Sequence, residues 1–206
     1  MKSFKALSFV VLFLLVQLSG KAQNCMLNCP SNIVVKADKG QEGAIVSFSP
    51  ISFTGECGAV TYSPASGTFF RLGSHSIIAT SASGQKCSFT VNVTDNESPE
   101  LSVLTLSTKK LWPASNKLKK VGVYYTASDN GQHVTTDLSV TSNATDGIRD
   151  WELIDNHQVR LKASRLPDGT PRIYTIAVSA IDEAGNKTTR RTSIAVSKTM
   201  TAGVGK

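Results

Sequence analysis

From Pro171 to Ser197 the chain alternates with a period of two. Tyr174, Ile176, Val178 and Ala180 fall on one side, and Thr175 and Ser179 on the other. A returning arm brings Thr192, Ile194 and Val196 back toward the apolar row. The joining segment, Asp182 to Asn186, contains a glycine that can supply positive φ at no steric cost. This predicts a hairpin packed on one side and wetted on the other, which needs a second sheet to cover Tyr174 and its row. A weaker copy of the unit ends at Lys86–Thr94, where Cys87, Phe89, Val91 and Val93 share a side.

Shorter β-patterned runs precede and separate these two. Ile33–Val35, Gly43–Phe48 and His75–Ser81 lie in the first half; Leu101–Leu106, Val121–Thr126, Val134–Val140, Trp151–Ile154 and Val159–Ala163 lie in the second. Pro50, Gly55, Gly58, Pro64 and Gly67 are spaced too closely for a helix of ordinary length, and no helical period appears. The expected fold is therefore all-β, two tandem immunoglobulin-like β-sandwich domains after a signal peptide. Its expected divisions are a signal peptide at 1–22, a first sandwich at 24–97, a second at 98–198 and a flexible tail at 199–206. Asp95 to Pro99, polar or turn-forming throughout, reads as a short linker between them.

The signal assignment rests on Lys2 and Lys5, an apolar run from Phe9 to Val16, and small residues flanking Lys21. The run is short of the ~20 residues that span a bilayer, so cleavage and a secreted, extracellular or periplasmic location are expected, without stable membrane insertion. Ala22, Gln23 and Asn24 lack the small residue directly before Cys25 that a lipid anchor requires. Loss of Lys2, Lys5 and Lys21 lowers the charge from +7, 22 basic against 15 acidic, to +4, 19 against 15. The remaining cations are spread along strands rather than interleaved with aromatics, so no nucleic-acid partner is expected.

Candidate chemistry is sparse. Cys25, Cys29, Cys57 and Cys87 in an exported chain read as disulfides; only Cys25 and Cys29 are close, unlike the paired spacing of a four-cysteine zinc site. Four cysteines allow three pairings, and spacing does not choose among them. No cofactor is expected. The candidates for calcium are Asp95, Glu97, Asp129 and Asp182, with Asp146, Asp150, Asp155 and Glu183 also near turns. None has EF-hand spacing, and such carboxylates more often fix a turn through their own backbone. His75, His133 and His157 accompany no nucleophile elbow or metalloprotease helix, so no enzyme is expected. Trp112 and Trp151 are the candidates for ligand contact, by stacking on a sugar or anchoring a partner; burial is the simpler reading of both.

Cys29-Pro30, Asn32-Ile33, Gly43-Ala44 with Val46 and Phe48, Ser66 to Phe69, Leu72-Gly73 and Cys87 to Val91 together resemble the hyalin repeat (HYR) module over Asn24 to Pro99. Leu111 to Pro113, Asn116 to Leu118, Asp129-Asn130, Asp150 to Glu152, Val159 to Ala163, Arg172 to Ile176 and Asp182 to Asn186 resemble a bacterial immunoglobulin-like module that accompanies HYR modules. Glu42 stands where bacterial relatives often carry a cysteine. The resemblance implies a sandwich fold, an extracellular setting and adhesion. It also implies a Cys29–Cys87 bond, which leaves Cys25 with Cys57. The expected function is a secreted, non-enzymatic adhesion or assembly module that binds an extracellular protein or polysaccharide. A carbohydrate-binding module using an exposed Trp is the alternative.

Overall fold

The computed structural model describes residues 24–198 apart from 132, 146 and 148, so the expected signal peptide and the expected flexible tail lie outside the described residues. Its elements are all strands. No helix among the described residues is long and apolar enough to cross a membrane.

In the first sandwich, β1 (Met26–Asn28) pairs with β4 (Ser52–Thr54), and β3 (Gly43–Val46) pairs with β6 (Thr68–Arg71). Against them stands a four-stranded sheet in the order β2 (Ile33–Lys36), β8 (Lys86–Thr94), β7 (Gly73–Ser81), β5 (Val60–Ser63), in which β2 and β8 run parallel. The period-two rows meet between these layers. Ala44, Val46 and Phe70 come from one side, and Ile77, Phe89, Val91 and Val93 from the other. Phe48 stands edge-on to both Tyr62 and Phe89, at 5.4 and 5.2 Å between centroids, which closes one end of this small core. Disulfides join Cys29 to Cys87, the bond that the HYR resemblance implies, and Cys25 to Cys57, the pair that it leaves.

In the second sandwich, β10 (Thr105–Leu106), β11 (Leu118–Tyr124), β15 (Gln158–Lys162) and β14 (Trp151–Asp155) form one sheet in that order. The facing sheet is β13 (Thr135–Ser142), β16 (Ile173–Ile181) and β17 (Lys187–Ala195), and β9 (Glu100–Leu101) pairs with β12 (Ala127–Ser128). β16 and β17 are the hairpin that the sequence predicts, with Tyr174 opposite Ile194 and Ile176 opposite Thr192. Tyr174, Ile176, Val178 and Ala180 are fully buried against Val121, Val123, Val159 and Leu161. Burial of this apolar row stabilises the unit at ~25 cal/mol per Å² of apolar surface removed from water.

The linker is partly buried. Pro99 is buried and Asp95 and Glu97 are half-buried, while Asn96 and Ser98 are exposed, so the short linker is anchored at alternate residues. Polar side chains here are folded into contacts that a hydropathy pattern does not register.

Candidate functional site at the junction of the two sandwiches

The junction is built from four turns. Asp95 and Glu97 follow β8, Asp129 to Gly131 follow β12, Asp182 opens the β16–β17 turn, and Lys39 to Glu42 precede β3. Each is a place where a strand must end, which is why short carboxylates and glycines gather there. The Glu97 backbone N–H donates to Asp95 Oδ1 at 3.0 Å, and the Asn186 N–H and side-chain amide donate to Asp182 Oδ1 and Oδ2 at 2.8 and 3.0 Å. Thus Asp95 and Asp182 do fix their own turns.

The same geometry aims them at one point. Asp95, Asp129 and Asp182 each offer an oxygen, all within 4.8 Å of one another, and Asp182 is buried. Asp129 Oδ2 and Asn130 Oδ1 are shut off from solvent without a hydrogen-bond partner. Burial foremost, then the charges of Asp95, Asp182 and Glu97, push the Asp129 carboxyl above its ordinary value, against a lowering contact from the Asn130 backbone. A group of hard oxygens, net negative and incompletely satisfied, matches a hard divalent cation such as calcium better than a softer metal.

Glu97 bridges the two units beside this cluster. Its Oε2 accepts from the Gly40 backbone N–H at 2.8 Å and from the Asn130 amide at 3.5 Å. A cleft of about 440 Å³ opens here between Lys39, Gly40, Glu97, Glu100 and Asp129. Glu42 also faces the junction, paired with Arg71 at 2.6 Å. A Cβ on Gly131 would lie 2.5 Å from Glu42 Cγ, and its φ of +103° is itself unfavourable for any other residue. Sequence reasoning missed Asn130, Glu42 and Gly131 as parts of one place. The Asp129-Asn130-Gly131 tripeptide marks a turn, but nothing in it says which other turn lies opposite.

The other candidates fall elsewhere. Asp150 is buried and paired with Arg172 at 2.6 Å and Lys162 at 3.1 Å, away from the junction carboxylates. Asp155 Oδ1 accepts from the His157 N–H at 2.7 Å and serves its own turn. Asp146 lies outside the described residues. A ring nitrogen of His75 is 2.7 Å from the Arg71 carbonyl oxygen, and one of His157 is 3.2 Å from that of Val123. Trp112 is 39% exposed, contrary to the expectation of burial, because the loop after the Leu111 bridge carries it off the core. Trp151 is half-buried, edge-on to Tyr174 at 6.5 Å.

No family model matches the sequence, and no curated protein matches it. Among solved structures, the fibronectin(III)-like modules of Clostridium thermocellum CbhA are 17% identical, covering 83% of this chain and 92% of that one, with a TM-score of 0.31. Human mucin-like protocadherin EC1-2 is 14% identical, covering 84% of this chain and 97% of that one, at 0.37. Drosophila N-cadherin EC1-4 is 12% identical, covering 84% of this chain and 49% of that one, at 0.35.

Proposed function

We propose that the chain is an extracellular, non-enzymatic adhesion or assembly module, two sandwiches in series whose mutual orientation is held at the junction by calcium. The observation that carries this is the set of three converging carboxylates beside Asp129 Oδ2 and Asn130 Oδ1, both buried without partners, at the boundary between the units. A cation there satisfies the orphaned oxygens and removes the repulsion among Asp95, Asp129 and Asp182. A fixed angle between two sandwiches matters to a protein that presents loops and strand edges to another macromolecule, and it has no evident use in two independent beads on a string. The two disulfides fit an oxidising compartment, and the HYR resemblance of the first unit supports adhesion as the use.

The test is retention of protein-coated beads on the envelope surface of the producing cells, with calcium, with EDTA, and with Asp129→Asn. Retention that needs calcium and is lost in Asp129→Asn is expected. Equal retention in all three, or retention in none, overturns the proposal.

A further inference from the structure

We infer that the end of the second sandwich farthest from the junction binds an acidic polysaccharide, a polymer of uronic acid units, in the cleft beside Trp151. The inference rests on the binding function proposed above and names a ligand class for it. β11 begins at Leu118, β14 begins at Trp151 and β15 ends at Lys162, and the register sets Leu118 beside Lys162 and Trp151 beside Leu161. Three strand ends therefore form one rim, and a cleft of about 470 Å³ lies along it.

Charge in the cleft is unbalanced. Lys117, Arg149 and Lys162 line it with Asp150 and Glu152, while Arg172 and Arg160 stand behind those two carboxylates. Asp150 is already held by Lys162 and Arg172, and Glu152 by Arg160 at 3.1 Å. Neither Lys117 nor Arg149 has a carboxylate at ion-pair distance among the described residues. Both are exposed, so an incoming anion meets two cations that hold no carboxylate among the described residues, one in solvent and one over the Trp151 ring.

Apolar surface lies between those cations. The Arg149 guanidinium is 5.7 Å from the centroid of the Trp151 ring, and Leu118 on the opposite lip is 44% exposed. A uronate presents a carboxylate and an apolar pyranose face on every unit, which is the combination offered by a guanidinium held over an indole with an exposed leucine across the cleft. An acidic peptide would use the cations and leave the apolar surface without a role. The loop forming one wall is fixed rather than loose. Asn116 holds a left-handed φ of 55°, and the Ser115 and Asn116 N–H groups both donate to the Ala163 carbonyl, at 2.9 and 3.0 Å. Asn adopts this left-handed conformation readily, and the two hydrogen bonds hold the loop in place.

The chain has two tryptophans, so Trp112→Phe leaves Trp151 as the single reporter. Fluorescence of that protein is titrated with polygalacturonate, polyglutamate and dextran in EDTA, which removes calcium from both the polymer and the junction. A saturable change with polygalacturonate alone is expected, weakened at least tenfold by Lys117→Ala and Arg149→Ala, with unchanged circular dichroism showing that both variants fold. The absence of any change, equal affinity for polyglutamate, or full binding in both variants overturns the inference. Calcium-dependent bead retention with no polygalacturonate binding removes this inference alone and leaves the proposed function standing.

Discussion

Arg172 and Asp150 face each other across 2.6 Å with both side chains 5% exposed, and Lys162 reaches the second Asp150 oxygen at 3.1 Å. The pair sits where the β14 and β16 sheets meet at the far end of the second sandwich, and the Asp150 carbonyl also lies 3.2 Å from the Tyr174 hydroxyl. Removing Arg172 leaves the buried Asp150 carboxylate with Lys162 alone, a partner whose own side chain is 39% exposed. Arg172→Met is expected to destabilise the second sandwich by roughly 2 to 4 kcal/mol, below the cost of a wholly unpaired buried charge because Lys162 remains, while leaving the first unaffected. Denaturant unfolding with a separate probe for each unit checks this, and a loss below about 1 kcal/mol contradicts it.

The Tyr174 hydroxyl donates to the Lys162 carbonyl at 2.9 Å from a fully buried ring. Tyr174→Phe is expected to cost about 1 kcal/mol at neutral pH through the lost hydrogen bond. Burial, chiefly, pushes the phenol up to about 12 from its ordinary 10.0. The native state thus keeps its proton where the unfolded chain has lost it, and stability falls as pH rises between those two values. Tyr174→Phe should flatten that fall. An unchanged slope above pH 10 would rule out Tyr174 as its source.

The disulfides of the first sandwich close loops of unequal size, 58 residues apart for Cys29–Cys87 and 32 for Cys25–Cys57. Each is expected to contribute ~2 to 4 kcal/mol, and loop entropy makes the longer worth about 0.5 kcal/mol more. Paired Ala substitutions compared by thermal unfolding measure both. The opposite ranking would place native contacts, not chain entropy, in control.

Gly131 lies under Glu42, so Gly131→Ala presses on the junction without touching either core. Hydrogen exchange is expected to quicken at Gly40, whose N–H is bonded to Glu97, and to stay unchanged along β16. Equal protection at Gly40 in both proteins would show that the two units tolerate a shift at this contact.

The strands were legible because burial writes a period of two into the sequence, as in the β16 row of Tyr174, Ile176, Val178 and Ala180. Asp95, Glu97, Asp129 and Asp182 could each be named from turn chemistry, but their convergence could not. It depends on how two sandwiches dock, and the residues that decide this, Gly40, Glu42, Asn130 and Gly131, are ordinary turn residues in the sequence. Asp150 was misplaced among turn carboxylates for a related reason. Its partner Arg172 is 22 positions away in sequence, and no local pattern joins them.

Calcium binding at Asp129 is the most direct test of the account. Its carboxyl titrates above the ordinary Asp value, so ionising it costs the folded protein more than the unfolded chain. Without divalent ions, stability should therefore fall as pH rises through the window between those two values and remain lower above it. A bound cation favours the ionised form and reverses that dependence, adding stability at neutral pH by mass action. Calorimetric titration of EDTA-stripped protein with calcium at pH 7 is the measurement. Saturable binding, a raised unfolding midpoint and loss of both in Asp129→Asn are expected; no heat of binding, or the same isotherm in Asp129→Asn, contradicts a calcium site at the junction.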